Sequence, residues 1–409
     1  MLKQGFTLAL LVDRPRKGQM NLLFATSIVP DGAASSGYDI ANAAIIDALR
    51  RAGAGVTVIG FTWPGKPPID PDRTVALGSL DVRTQGASAM QRLAWAARAI
   101  CSGLTFSSAK LRIVDEAKVR QAIREAGPFD AYVLNSVQFA GAFERVLGDR
   151  PTLFVAHNVE HNSASENAAA AASMIQRLLF RREARLLKVL EERLCTRARF
   201  VFTLAEEDRA ALGVASGARS IALPLVTTPL APRKTPRPID CDAALIGTWT
   251  WQPNRIGLDW FLGHVVPYLP GDFRIRIAGS APADLSSPHP GVEFVGRVTD
   301  ARAFVRSAAV IPLISTAGSG VQLKTIETFE LGLPSVATSR SLRGIAHRPA
   351  NCIVTDDPKA FAAALVKAAS APGSDADGAA FHTRQMKALD DAIARGLRAL
   401  DPARQEAFA

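Results

Sequence analysis

The 409-residue, 43.5 kDa chain is 48% hydrophobic and 21% charged, a globular balance that excludes a disordered or fibrous protein and allows two or three domains with cores of their own. Lys and Arg outnumber Asp and Glu by 48 to 38, giving a net charge of +10 and a pI near 9.8, which favours nucleic acid, phosphate esters or an anionic membrane face as surroundings. Only 7% of residues are aromatic, three of them Tyr, which is thin for base-stacking platforms and sets nucleic acid aside as a partner.

The four cysteines, Cys101, Cys195, Cys241 and Cys352, are far apart and form no C-x-x-C pair, so buried, reduced thiols in a cytoplasmic protein are expected. No apolar run approaches the ~18 residues of a spanning helix. The early run Phe6–Val12 is broken by Asp13 and Arg14 and lacks a cleavage pattern, so neither export nor a membrane anchor is expected.

Residues 1–19, which include the basic, breaker-rich stretch Arg14–Gly18, are expected to be dispensable to the fold. The apolar run 21–26 then predicts a buried first strand, and Pro30–Gly37 a turn-rich loop. A helix over 40–51 ends at Gly53-Ala-Gly55, and 56–60 is the next strand, a β-loop-α-β unit typical of a parallel sheet. Helices are predicted over 89–101 and 109–125, strands over 131–135 and 152–156, a long charged helix over 174–197, a strand over 200–203 and a helix over 206–212. Residues 224–238 hold five prolines and read as a linker. The rhythm then restarts with strands at 243–247, 273–278, 292–295, 309–313, 335–338 and 352–354. Helices at 256–266, 301–307, 321–331, 358–369 and 379–400 alternate with them. Two α/β halves of this kind place a ligand cleft at the carboxyl ends of their strands.

The most informative segment runs from Thr316 to Val336. Gly318 and Gly320 allow close backbone approach, and the helix behind them presents unpaired N–H groups to an anion. Lys324 and Glu327 share one face of that helix, and Gly332 and Pro334 stop it. The arrangement suits a diphosphate and a ribose diol, yet the spacing alone equally describes a glycine turn, a capped helix and a surface ion pair. His157-Asn-Val-Glu-His161 follows a strand but matches no zinc spacing; a loop histidine capping a helix is the plain alternative. In Gly247–Asn254, Trp249 and Trp251 either line a cleft or close the core, and Arg297 ends another strand. The sequence has no P-loop, no G-x-S-x-G elbow, no D-x-D at a strand end and no G-x-G-x-x-G in its first βα loop.

In order, His157–Glu160, Leu190–Asp208, Gly247–Asn254, Gly296-Arg-Val298 and Gly318–Pro334 resemble a retaining glycosyltransferase of family 4 with GT-B architecture, over roughly residues 20–345. The resemblance implies two Rossmann-like domains facing each other across a cleft: an acceptor domain over 20–222, a nucleotide-sugar domain over 223–378, and a C-terminal helix, 379–409, crossing back to the first. It implies His157, Lys324 and Glu327 as catalytic residues. It places Thr248, Arg297, Gly318, Ser319 and Gly320 with Lys324 and Glu327 on the donor side, and Ser36, Gly37 and Asn158 with His157 on the acceptor side. No metal and no cofactor is implied: the nucleotide sugar is a substrate, and the acceptor a glycan or a lipid-linked sugar. Two departures stand out. The family's second glutamate, eight positions before Glu327, is here Ser319, and the usual basic pair after the first strand of the second domain is missing up to Arg255, leaving its work to Lys324 and Arg297. A nucleotide-sugar epimerase and a non-catalytic scaffold stay open as alternatives.

Helix 174–197 carries seven Lys and Arg against three Glu, with Leu178, Leu179, Leu186, Leu187 and Leu190 at helical spacing. It is read as an amphipathic face for an anionic membrane surface, with an ordinary solvated helix as the alternative. Arg340 is expected to play no part in the site.

Overall fold

The computed structural model describes residues 19–32, 37–83, 86–227, 237–282, 285–318, 320–371 and 375–400. The chain divides into two compact units, residues 1–223 with 390–409, and residues 224–389.

The first unit is a seven-stranded parallel sheet: β1 (Asn21–Ile28), β2 (Gly55–Thr62), β3 (Thr74–Ser79), β4 (Ala131–Asn135), β5 (Thr152–Ala156), β6 (Phe200–Thr203) and β7 (Ser220–Ala222), in the order β3-β2-β1-β4-β5-β6-β7. Helices α1 (Gly37–Arg51), α2 (Ala89–Ser102), α3 (Phe106–Leu111), α4 (Glu116–Ala126), α5 (Val137–Ala142), α6 (Glu160–Ala170), α7 (Met174–Arg197) and α8 (Glu206–Ala211) connect them. Runs such as Leu22-Leu-Phe24 and Leu153-Phe-Val155 are buried throughout, as central strands covered on both faces require. The strand order reverses between β1 and β4, so the chain leaves these neighbours in opposite directions and opens a crevice at their carboxyl ends.

The second unit repeats the plan with six parallel strands: β8 (Cys241–Thr248), β9 (Ile275–Ser280), β10 (Val292–Gly296), β11 (Ala308–Leu313), β12 (Ser335–Ala337) and β13 (Cys352–Val354), ordered β10-β9-β8-β11-β12-β13. Its helices are α9 (Gln252–Trp260), α10 (Ala301–Arg306), α11 (Leu323–Glu330), α12 (Pro358–Ala369) and the first half of α13 (Gly378–Leu400). Here the order reverses between β8 and β11.

Several expectations change. The helix expected over 109–125 is two, because Asp115 accepts from the Lys118 amide and starts α4 afresh. The helix expected over 256–266 starts at Gln252 and loosens into a π turn at Phe261–Val265 and a 3₁₀ turn at Val266–Tyr268 around Pro267, which has no N–H to donate. Strands β3 and β7 and helix α6 are additions. Cys195, Cys241 and Cys352 are buried, but Cys101 is exposed near the end of α2, contrary to four buried thiols. Among the described residues no helix is long and apolar enough to cross a membrane.

Candidate functional site

In the second unit the reversal between β8 and β11 gathers the chemistry. The loop after β11 is fixed by hydroxyls: Ser341 Oγ donates to the Leu313 carbonyl, Ser341 Oγ accepts from the Ser315 amide, Thr338 Oγ1 donates to the Ser315 carbonyl, and Thr325 Oγ1 of α11 donates to the Ser341 carbonyl. α9 comes close on the other side. A Cβ on Gly257 would stand 2.4 Å from the Ile314 carbonyl oxygen, and one on Gly318, whose φ is +90°, 3.2 Å from Pro253. Arg340 Nε donates to the Gly318 carbonyl at 2.9 Å, so Arg340 anchors the glycine loop instead of standing apart from it.

Helix α11 then begins without a side-chain cap, because Gln322 does not bond its first amides. Those N–H groups and the positive end of the helix are a ready anion site. Lys324 donates to Asn254 Oδ1 at 3.5 Å and stands 5.7 Å over the Trp249 ring. Burial brings its pKa down to about 8. Glu327, one turn on, holds Arg302 Nε at 2.8 Å through Oε1, while its Oε2 has no partner among the described residues. Lys324, Glu327 and Thr328 border a cavity of about 20 Å³, room for one water.

The first unit presents a second constellation at its own reversal. Thr26 lies two residues before the end of β1, Asn135 ends β4 and His157 follows β5. Asn135, fully buried, donates through Nδ2 to Asn42 Oδ1 (2.7 Å), Thr26 Oγ1 (3.2 Å) and the Tyr38 hydroxyl (3.2 Å), which leaves its Oδ1 as the acceptor for His157 Nε2 at 2.7 Å. That network selects the Nε2–H tautomer, so His157 Nδ1, with no partner among the described residues, is an acceptor. Burial lowers the His157 pKa to about 4, so the ring is neutral near neutral pH. Tyr38, with its ring centroid 4.9 Å away, packs against it. Next in the chain after Asn135 is Ser136, the one described non-glycine residue with positive φ, +72°.

Glu160 starts α6 beside this network, reached by Gln138 Nε2 at 3.4 Å; burial and the neighbouring Glu191 carboxylate push its pKa up to about 7. Glu191, from α7, accepts from the Glu160 amide at 2.7 Å and from His161 Nδ1 at 2.5 Å. His161 is thereby a structural helix-start residue, not a partner of His157.

The expected donor-side residues Thr248, Gly318, Gly320, Lys324 and Glu327 lie around one strand reversal: Thr248 closes β8, and its carbonyl accepts from Asn254 Nδ2. Ser319 and Ser36 lie outside the described residues. Arg297 stands exposed at the end of β10 without a side-chain partner among the described residues; the cation at Glu327 is Arg302, from the first turn of α10. Arg255 is turned along its own helix onto Asp259. Trp249 is core, its Nε1 donating to the Ala278 carbonyl, and Trp251 is exposed. On the other unit, Gly37 opens α1, whose Tyr38 joins the His157 network, and Asn158 donates to Ser163 Oγ while its buried Oδ1 has no partner among the described residues. Tyr38, Asn42, Asn135 and Arg302 were not marked by any sequence pattern; only the asparagine at the last position of the apolar run 131–135 offers a cue, a polar side chain where a buried strand ends.

Residues 242–371 match the family Glycosyl transferases group 1, so the second unit carries a glycosyltransferase domain. No curated protein matches the chain. Among solved structures, a sucrose-phosphate synthase from Thermosynechococcus elongatus is similar at 16% identity, covering 95% of this chain and 99% of that one, with a TM-score of 0.62. The Anabaena protein HepE in complex with UDP-glucose is similar at 14% identity, with 93% and 100% coverage and a TM-score of 0.57. The lipopolysaccharide outer core galactosyltransferase WaaB follows at 12% identity, with 94% and 100% coverage and a TM-score of 0.52. The two parallel-sheet α/β domains have the fold of GT-B glycosyltransferases.

Proposed function

We propose that the protein transfers a sugar from a nucleoside-diphosphate donor, held by the second unit, to a glycan or lipid-linked acceptor. The observation that carries this reading is α11: an uncapped helix start behind a glycine loop, with Lys324 and Glu327 one turn apart, inside the segment that matches a glycosyltransferase family. The helix N–H groups and the Lys324 ammonium neutralise the diphosphate, and Glu327 Oε2 accepts from a ribose hydroxyl. Stabilising charge on the departing diphosphate with fixed dipoles needs no metal, so transfer is metal-independent and, by front-face departure, retaining. His157, neutral and with Nδ1 bare, serves the acceptor-side unit as a hydrogen-bond acceptor for a sugar hydroxyl. HepE and WaaB, as a UDP-glucose complex and a galactosyltransferase, are consistent with a UDP-hexose donor.

UDP titration of the wild type, Lys324→Ala and Glu327→Gln tests the reading. A charge-assisted contact is worth ~1.5–3 kcal/mol, so Lys324→Ala should weaken UDP roughly 10- to 150-fold, and excess EDTA should change nothing. Glu327→Gln should lose ribose-dependent affinity with little loss of melting temperature. A surface ion pair alone predicts about 1 kcal/mol of stability or less and unchanged affinity. Unchanged UDP affinity in both variants rejects the donor site.

A further inference from the structure

Helix α7 changes character along its length. Leu187, Leu190, Leu194 and Cys195 are buried. Before them, Met174, Ile175, Leu178 and Leu179 are 64%, 73%, 58% and 46% exposed, so the leucine stripe read from sequence is a core face in one half and a solvent-facing apolar surface in the other. Arg177, Arg181 and Arg185, spaced one turn apart, line an open groove of about 690 Å³ against Ser165, Ala168 and Ala169 of α6, and among the described residues no acidic side chain lines it. Arg177 donates weakly to the Ala171 carbonyl at 3.5 Å and to Met174 Sδ at 3.9 Å, neither of them an anion, its buried Nε has no partner among the described residues, and Arg181 and Arg185 have none there either. The nearest acid on the helix, Glu183, faces inward and accepts from the Phe106 amide, and Arg182 is spent on the carbonyls of Ala99 and Leu104. What points outward is large apolar side chains interleaved with unopposed positive charge.

We infer that the first half of α7 docks the protein on an anionic phospholipid bilayer, with Met174, Ile175 and Leu178 entering the acyl boundary and the Arg177–Arg181–Arg185 groove taking lipid phosphates. Charge complementarity selects this occupant. A second copy would set the same arginines against each other, and a soluble phosphate would leave the apolar side chains uncovered. The inference goes beyond the proposed transfer reaction and is read without donor or acceptor, so either can fail while the other stands.

Co-sedimentation of the full chain with phosphatidylcholine vesicles, with and without about 30% phosphatidylglycerol at ~0.1 M salt, tests it. Binding should appear only with the anionic lipid and fall with added salt. The pair Arg181→Glu/Arg185→Glu should weaken it roughly 30-fold or more. The pair Ile175→Ser/Leu178→Ser should weaken it roughly tenfold, with melting temperature unchanged in both because these side chains touch no core. Absence of binding to anionic vesicles, or equal binding by wild type and both variants, overturns the inference. So does a dimer that dissolves on Ile175→Ser/Leu178→Ser, which would assign the face to a second copy.

Discussion

Lys324 carries a charge its surroundings disfavour: one long hydrogen bond to Asn254 and the Trp249 face do not offset burial, and its pKa falls to about 8. A bound diphosphate favours the charged form and raises that pKa. UDP affinity should therefore be flat below pH 8 and decline above it, by up to about tenfold per pH unit until the bound-state pKa is reached; calorimetric titration between pH 7 and 9.5 should show this, and Lys324→Ala should abolish it. Glu160 is the opposite case. Its pKa is raised from 4.5 to about 7, so the stability of its protonated form is fully present below pH 4.5 and is lost as pH rises through about 7. Glu160→Gln should match the wild type near pH 4.5 and melt higher at pH 8, by a free energy on the order of 1–3 kcal/mol; equal melting curves at both values would remove the carboxyl from its assigned environment. His157 is legible in sequence because it lies between a strand and a helix, and Lys324 and Glu327 because they sit in the helix that follows a strand and a glycine turn. Their partners are not: Tyr38 and Asn135 lie 97 positions apart, and Arg302 and Glu327 lie 25 apart on different helices. Only the parallel pairing of β1 with β4, and of β8 with β11, brings such residues together.

At the scale of elements, the loop that presents Gly318 is set by how closely α9 can approach it. The missing side chain at Gly257 permits that approach, since a Cβ there would stand 2.4 Å from the Ile314 carbonyl oxygen. Gly257→Ala should cost ~1–3 kcal/mol and weaken UDP, because the helix and the loop must part. Gly263→Ala, where a Cβ meets nothing within 4 Å, should leave UDP affinity unchanged. Melting temperature and UDP affinity measured on both variants separate the two sites. Elements with a clear apolar period or run, such as α7, β4, β5 and β6, can be bounded from sequence to the residue. α6 cannot, because Glu-His-Asn-Ser-Ala-Ser-Glu-Asn-Ala-Ala-Ala contains no large apolar side chain; its start is held by a carboxylate from α7, a contact with no local trace. The break between α3 and α4 is likewise hidden, since both helices continue one apolar pattern and only the cap at Asp115 divides them.

At the scale of the whole molecule, the first unit is discontinuous: residues 390–400 complete it after the chain has built the second unit. Asp390 pairs with Arg51 at 2.6 Å, Ala392 and Ile393 are buried, and the Phe202 ring lies where a Cβ on Gly396 would be, 2.2 Å away. Gly396→Val should therefore lower the melting temperature by overpacking at Phe202, ~1–3 kcal/mol, whereas Arg51→Ala, at a half-exposed pair, should change it by under about 1 kcal/mol. Thermal melts of both decide whether packing or charge holds this end. The order of synthesis gives that arrangement a further meaning. The strands of the first sheet leave the ribosome long before Ala392, Ile393 and Gly396, and the whole second sheet is translated in between. At ~5–20 residues per second, the first sheet waits on the order of ten seconds or more with Phe202 uncovered. Until residues 390–400 arrive, the nascent first unit exposes apolar surface of its own core, the kind of surface that aggregates or is bound by folding helpers.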